Sequence, residues 1–116
     1  MKILLILHDP PYGTERSYNG LRLATSLVKR SGVGVKVFLF GDAVGCVVAN
    51  QRVPDGCYHL DRMVAVVVQR GGEVGCCGTC MDARAIGDTS LVAGVRRSTL
   101  EQATDWTLWA EKVVTF

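Results

Sequence analysis

The sequence has no hydrophobic run long enough to cross a membrane. Its longest uninterrupted apolar runs are Ile3–Leu7 and Met63–Val68, whereas a membrane-spanning helix needs about 20 consecutive apolar residues. The first run is followed at once by His8-Asp9-Pro10-Pro11, with no small-residue cleavage site. We therefore expect no membrane segment and no signal peptide, and we expect a cytoplasmic location.

The sequence also lacks an excess of charge of one sign. Its 13 Lys and Arg residues and 11 Asp and Glu residues give a net charge of +2. No basic run is longer than two residues, so the patch of cations that neutralises nucleic-acid phosphates is missing and we expect no nucleic-acid partner. Apolar residues make up 48% of the chain, which excludes a disordered protein. A length of 116 residues predicts a single domain spanning residues 1–116.

Motifs for phosphate and metal binding are missing or incomplete. The polar segment 8–17 contains Gly13 but neither the Gly-x-Gly-x-x-Gly nor the Walker spacing, so a flavin or nucleotide is not expected. Zinc needs four ligands, and the chain has a single C-x-x-C. The other candidate ligands have no partner at ligand spacing: Cys46, Cys57, His8 and His59. We predict no cofactor and no metal ion.

Short apolar runs alternate with segments of helical periodicity, which predicts an α/β fold. We predict a three-layer α/β/α sandwich with flavodoxin-like layering, built on a mainly parallel five-stranded sheet. The predicted strands are 2–7, 34–40, 74–76, 95–97 and 112–116. The predicted helices are 18–31, 43–50, 58–70 and a last helix ending near residue 111, with one or two short helices within 81–94.

Two signals predict how these helices end and what they pack against. Lys29 and Arg30 fall in the predicted last turn of the first long helix, where cations suit the helix dipole. Ser98-Thr99-Leu100-Glu101 is typical of a capping box, in which Ser98 caps the last helix and Glu101 reaches back to it. We expect one of Trp106 and Trp109 to lie in the core, but the two together widen the apolar face of that helix and predict a contact between subunits. If both are buried in their own subunit, the contact is expected at the loops around Val44–Val53.

Cysteine is the abundant residue type that demands an explanation. The chain has five cysteines, and an odd number without a signal peptide argues against a secreted disulfide framework. Cys76 still belongs to the predicted third strand, so we interpret it as a packing residue. Cys77 follows at the carboxyl end of that strand, where ligands bind in parallel sheets, and at the start of a helix, which favours the nucleophilic thiolate.

Cys77-Gly78-Thr79-Cys80 is also a C-x-x-C motif. At this spacing the two thiols can lie on one helical turn and form a disulfide, as in thioredoxin-like enzymes. A thioredoxin-like domain carries the motif after its first strand, whereas here it follows the predicted third strand. Cys77 and Cys80 are therefore the predicted catalytic residues, with a redox role left open beside nucleophilic chemistry.

Several segments in order resemble the DsrE/DsrF-like sulfur-relay family, which includes the DsrE and TusD subunits. They are Pro10–Arg16, Phe38–Val44, Cys77–Ile86 and Trp106–Phe116. In that family a cysteine seven residues before an Arg-Gly pair carries sulfur as a persulfide, and Cys77 stands seven residues before Arg84. The chain departs from the pattern at Ala85, which replaces the usual Gly, and at Cys80, which the best-known relay subunits lack.

The cysteine motif and the resemblance together leave three hypotheses of different class. The first is a sulfur carrier or sulfurtransferase that holds sulfur on Cys77, with sulfur donor and acceptor proteins or small thiols as partners. The second is a redox protein that cycles a Cys77–Cys80 disulfide. The third is a non-catalytic assembly subunit whose cysteines only pack. The resemblance further implies a homo-oligomer, either a trimer or a hexamer.

Overall fold

The protein is built on one sheet of five parallel strands, in the order β4-β3-β2-β1-β5. A computed structural model describes all residues, 1–116. The strands are β1 Lys2–Leu7, β2 Gly34–Leu39, β3 Glu73–Cys77, β4 Arg96–Ser98 and β5 Lys112–Thr115. The helices are α1 Arg16–Leu27, α2 Leu60–Gln69, α3 Gly78–Ala83 and α4 Leu100–Trp109, with 3-10 helices at Gly41–Val47 and Asp88–Ser90. The predicted α/β fold on a five-stranded parallel sheet is confirmed. None of these helices combines the length and the apolar character that crossing a membrane requires.

The two faces of the sheet are covered unequally. Alternate residues of β1 point to opposite faces. Leu5 joins a cluster of 18 buried residues on the face covered by α1 and α2, whereas Leu4 joins a cluster of only four on the face covered by α4. Since α4 is the single helix on its face, the carboxyl ends of β3 and β4 beside its first turn are only thinly covered.

Some helix boundaries differ from those predicted. Helix α1 ends at Leu27 rather than near residue 31, so Lys29 and Arg30 lie in the turn beyond it and the predicted cations in its last turn are absent. The segment predicted as a helix over 43–50 is a 3-10 helix at Gly41–Val47. The ambiguous run within 58–70 is a helix, as predicted, because Val64 and Val67 bury one side of α2 against the sheet.

The predicted capping box at the start of α4 is wrong by one residue. Thr99 is the N-cap, and its hydroxyl accepts a hydrogen bond from the backbone N–H of Gln102 at 3.2 Å. Ser98 cannot serve because it is the last residue of β4 and pairs with Cys77 of β3. The Glu101 side chain therefore does not reach back to a cap, and it makes no hydrogen bond or ion pair within the chain.

The tryptophans of α4 cover the sheet of their own subunit. Trp106 is 4% exposed and packs edge-on against Phe38, with ring centroids 5.9 Å apart. Trp109 is half-buried, and the Lys36 ammonium lies 4.3 Å from its ring centroid. The prediction that one of the two tryptophans is a core residue is confirmed by Trp106, while the subunit contact predicted for this helix stays a prediction.

Candidate functional site

Cys77 is the last residue of β3 and the N-cap of α3. Because successive strand residues point to opposite faces, Cys76 and Cys77 differ sharply in their surroundings. Cys76 is fully buried, with its sulfur 3.2 Å from the Met81 sulfur, and burial raises the pKa of its thiol to about 11. Cys77 is half-buried and touches both buried clusters. The neighbouring pair thus consists of one inert thiol and one accessible thiol.

The Cys77 sulfur is held by the first turn of α3. It accepts a hydrogen bond from the backbone N–H of Cys80 at 3.4 Å and lies 3.2 Å from the Thr79 hydroxyl oxygen. Partial burial opposes ionisation, but hydrogen bonds from the side chains and backbones of Cys80 and Thr79 outweigh it and lower the pKa of the Cys77 thiol. Since the thiolate is the nucleophilic form, this arrangement favours attack by Cys77.

Cys80 packs against the larger buried cluster only, whereas Cys77 contacts both clusters. Burial, followed by the interaction with the Cys77 thiol, raises the pKa of Cys80. The contact between the two side chains thus acts in opposite directions, lowering the pKa of Cys77 and contributing to the raised pKa of Cys80. The structure brings both predicted site residues together in one turn.

Arg84 fastens the end of α3 to the loop after β2. Its guanidinium donates to the Asp42 carboxylate from Nε at 3.1 Å and from Nη2 at 2.7 Å, and to the Cys80 carbonyl from Nη1 at 3.1 Å. Arg84 does not touch the Cys77 sulfur through any of these bonds. In this structure it is a positioning residue that holds the C-x-x-C turn against the rest of the sheet edge.

Ala85 adopts the turn that a glycine normally makes. Its φ is +55°, in the left-handed region where a side chain is unfavourable. The N–H of Ile86 donates to the Met81 carbonyl at 3.0 Å and the N–H of Ala85 to the Asp82 carbonyl at 3.1 Å, which is the Schellman pattern at a helix end. The departure from the family at Ala85 therefore leaves the backbone turn intact.

A cavity of about 360 Å³ opens beside Cys77, between the first turns of α3 and α4. It is lined by residues 77–79 and 97–101. Gly78 is required for this close approach, since an added Cβ would lie 3.0 Å from Arg97 Nε and 3.1 Å from the Ser98 carbonyl oxygen. Cys77 lines this cavity and Cys80 does not.

The charged residues of this cavity were missed by the sequence analysis. Arg97 donates to the Asp82 carboxylate at 2.7 Å and lies 3.6 Å from that of Asp88, while Glu101 lines the same wall. Arg97 is the middle residue of β4, the parallel neighbour of β3, and Glu101 lies in the first turn of α4. The rule that ligands gather at the carboxyl ends of parallel strands points to these residues only once β4 is known to lie beside β3.

The remaining candidate residues lie outside this site. Cys46 is buried, which raises its pKa to about 12, and Cys57 is exposed in a turn. A second cavity of about 420 Å³ is lined by His8, Asp9, Arg16 and the last two residues, and it contains no cysteine. No group of three or more His, Cys, Asp or Glu side chains is arranged to hold a metal ion.

Comparison with known proteins places this chain in a family. The family model described as DsrE/DsrF-like matches residues 1–116. Protein YchN of Escherichia coli strain K12 is 36% identical over 116 residues, which cover 99% of this chain and 98% of YchN. An uncharacterized protein of Methanopyrus kandleri is 32% identical over 115 residues, which cover 98% of this chain and 93% of that protein.

Solved structures agree with this placement. The crystal structure of the E. coli ychN protein has a TM-score of 0.93 at 36% identity, covering 99% of this chain and 98% of that one. A protein of unknown function from Methanobacterium thermoautotrophicum has a TM-score of 0.77 at 10% identity, with the same coverage, and shares the fold alone. The chain belongs to the DsrE/DsrF-like family.

Proposed function

We propose that this protein is a sulfur carrier that holds a sulfur atom as a persulfide on Cys77 and passes it to an acceptor thiol. The observation that carries the proposal is the environment of the Cys77 thiol. This thiol is half-buried, lines a cavity and is hydrogen-bonded by the first turn of α3, which lowers its pKa. Cys76, buried beside it with a raised pKa, shows that strand-end position alone does not produce these properties.

The chemistry is thiol exchange extended by one sulfur atom. The Cys77 thiolate attacks the outer sulfur of a donor persulfide, R–S–SH. A bond forms between the Cys77 sulfur and the outer sulfur, the donor S–S bond breaks, and the donor leaves as the thiolate R–S⁻. Discharge is the same step in reverse, with an acceptor thiolate as the attacking group. Sulfur moves at a constant oxidation level, so no external oxidant or reductant is needed.

The donors and acceptors in this proposal are proteins or small thiols that reach the cavity. We also propose a homo-oligomer, a trimer or a hexamer, as the family resemblance implies. Its contact surface is the outer side of α4, where Leu100 and Leu108 are 67% and 80% exposed. Leu100 also lines the cavity, so such a contact would place the Cys77 sites at a subunit boundary.

One observation favours a second candidate function, thiol–disulfide exchange. Cys77 and Cys80 lie in the same turn, and the low pKa of one thiol rests in part on the other. This is the arrangement that lets a thiolate and a neighbouring thiol close a disulfide when an oxidant removes two electrons. Both functions use the Cys77 thiolate, and they differ in what it attacks.

Intact mass spectrometry separates the two functions. Reduced protein is incubated in one sample with a persulfide donor and in another with a mild disulfide oxidant. A carrier gains the mass of one sulfur atom from the donor and loses it on reduction with a thiol. If the donor adds no sulfur while the oxidant removes two hydrogen atoms, the protein is a dithiol redox protein and the carrier proposal is wrong.

A further inference from the structure

Two side chains of opposite charge line the cavity beside Cys77, and each has capacity left for a ligand. They are Arg97, at the middle of β4, and Glu101, in the first turn of α4. Between them stand Ser98 and Thr99, and Thr79 faces them from α3. The cavity therefore offers a nucleophilic sulfur, a cation, an anion and several hydroxyl groups within one small space.

Arg97 has unused hydrogen-bond donors. Its Nη2 donates to the Asp82 carboxylate at 2.7 Å, and its Nη1 lies 3.6 Å from the Asp88 carboxylate, beyond hydrogen-bond distance. Its Nε has no partner in the chain and lies 3.0 Å from the position that a Cβ on Gly78 would take. Asp82 and Asp88 contact the guanidinium through Nη2 and Nη1 and leave the Nε donor free for a further carboxylate.

Glu101 is a carboxylate without a partner. It makes no hydrogen bond or ion pair, because Thr99 rather than Ser98 caps α4 and the capping box does not form. The other charged residue that lines the cavity is Arg97, and its guanidinium is paired with the carboxylates of Asp82 and Asp88. The one uncompensated charge on the cavity wall is thus negative, and it is suited to an ammonium group.

Resting on the proposed carrier function, we propose that this cavity binds a small amino-acid thiol as the sulfur acceptor. Free cysteine is the smallest member of this class. Its carboxylate would bind Arg97, its ammonium group would bind Glu101, and its thiolate would face the Cys77 sulfur. A cavity of about 360 Å³ is at the small end of ligand sites and suits a molecule of this size rather than a large cofactor.

The transfer step balances without a further reactant. The cysteine thiolate attacks the outer sulfur of the Cys77 persulfide, and a new S–S bond forms as the bond to the Cys77 sulfur breaks. The electron pair of the broken bond stays on Cys77, which is released as the thiolate. The product is cysteine persulfide, and the hydrogen on the outer sulfur stays with it. The same contacts serve the reverse step, in which cysteine persulfide is the donor.

The test compares thiols that carry both charged groups, one of them, or neither. Protein loaded with sodium polysulfide and freed of excess reagent is mixed with cysteine, 3-mercaptopropionate, cysteamine or 2-mercaptoethanol, and persulfide loss is followed by intact mass. Each rate is divided by the rate of the same thiol with a small-molecule persulfide, which removes differences in thiol reactivity. We expect cysteine to be faster than 2-mercaptoethanol by about tenfold or more, since two charge-assisted contacts are gained.

Glutathione tests whether the acceptor must be free cysteine or can be a cysteine within a peptide. Its cysteine has amide-linked amino and carboxyl groups, so neither charge stands beside the sulfur. We expect glutathione to discharge the protein at the normalised rate of 2-mercaptoethanol. A normalised rate equal to that of cysteine would overturn the assignment of the two charged contacts.

Two substitutions assign the charges. Glu101→Gln should lower the normalised rates of persulfide loss with cysteine and cysteamine about tenfold and leave the rate with 3-mercaptopropionate unchanged. Arg97→Gln should lower the normalised rates with cysteine and 3-mercaptopropionate and leave the rate with cysteamine unchanged. Because Arg97→Gln also removes the ion pair with Asp82, Asp82→Asn supplies a second measurement. This variant keeps the guanidinium and frees its donors, so it should raise the normalised rate with 3-mercaptopropionate. Glu15→Gln and Arg30→Gln are the matched controls, since both residues are exposed and neither lines the cavity.

The outcomes distinguish this inference from the carrier function. If the protein takes up sulfur on Cys77 but all normalised rates agree within a factor of two, the cysteine site is wrong and the carrier function stands. The same holds if Glu101→Gln changes no rate. If the protein takes up no sulfur, both proposals are wrong. A preference for cysteine that Glu101→Gln abolishes supports the site.

Discussion

At the scale of single residues, the chemistry depends on hydrogen bonds to one sulfur atom. Cys76 and Cys77 are adjacent and of the same type, yet burial raises the pKa of the first to about 11, while four donors in the first turn of α3 lower the pKa of the second against its own partial burial. Reactivity is thus set by which side of the strand the thiol occupies.

The pH dependence of alkylation tests this account of the Cys77 thiol. The rate of reaction with iodoacetamide follows the thiolate fraction, so the midpoint of the Cys77 profile should lie below the ordinary value for a cysteine thiol. Thr79→Ala removes a donor to the thiolate, so its midpoint should move to higher pH. Peptide mass spectrometry assigns the labelled residue. An unchanged midpoint in Thr79→Ala would show that the hydroxyl does not stabilise the thiolate.

Cys80 should limit the lifetime of the persulfide. It contacts Cys77 within one turn and does not line the cavity, so its thiolate can attack the inner sulfur of the Cys77 persulfide while the outer sulfur leaves as hydrosulfide. The product is a Cys77–Cys80 disulfide, and electrons and atoms balance. Cys80→Ala should load at least as much sulfur and hold it several times longer, measured by intact mass over time. Cys57→Ala is the matched control, and equal lifetimes in both variants would reduce Cys80 to a packing role.

The sequence was sufficient to place Cys77 at the carboxyl end of β3 and the start of α3, because a buried strand followed by a Gly-containing loop is visible in the local pattern. It was not sufficient for Arg97 and Glu101. Their part in the site depends on β4 lying beside β3 and on a one-residue shift in the cap of α4, and neither is visible in local patterns.

At the scale of elements, the end of α3 is held in an unfavourable conformation. Ala85 has a φ of +55°, which costs an alanine about 1–2 kcal/mol. Ala85→Gly removes that cost but adds about 0.5–1 kcal/mol of chain entropy. We expect a net gain of roughly 0.5–1 kcal/mol in the free energy of unfolding, measured with urea at unchanged m-value.

The control for this substitution lies two residues earlier in the chain. Ala83 is exposed and is the last residue of α3, so Ala83→Gly should destabilise the protein by up to about 1 kcal/mol. Opposite signs for the two variants would support the left-handed turn at Ala85. A loss of stability in Ala85→Gly equal to that in Ala83→Gly would contradict it.

Element types were predictable, whereas several boundaries were not. The run over 58–70 has strand propensity but must cross over between parallel strands, and that topological argument correctly gave α2. The cap of α4 was misplaced because Ser98 and Thr99 are both favourable N-cap residues, and Ser is the more common of the two. The choice between them is made by the pairing of Ser98 with Cys77, which is a tertiary contact.

At the scale of the whole molecule, the unequal covering of the sheet predicts self-association. Helix α4 buries Trp106 against its own sheet and exposes Leu100 and Leu108. These two leucines are eight residues apart, so they lie on the same side of the helix. We expect sedimentation equilibrium to give a trimer or hexamer, and Leu108→Glu to lower the mass toward the 12.5 kDa of one chain. Leu23→Glu on α1 is the control, since Leu23 is also partly exposed. A wild-type protein that stays monomeric at micromolar concentration would contradict the assembly.

The most direct test of the central claim is to locate the transferred sulfur. Wild-type protein, Cys77→Ser and Cys76→Ser are each incubated with a persulfide donor, and their intact masses and circular dichroism spectra are measured. The account predicts that wild type and Cys76→Ser gain one sulfur atom that reduction removes, while Cys77→Ser keeps its fold and gains none, because a serine hydroxyl is not ionised near neutral pH. Loading of folded Cys77→Ser to the wild-type level would contradict the account.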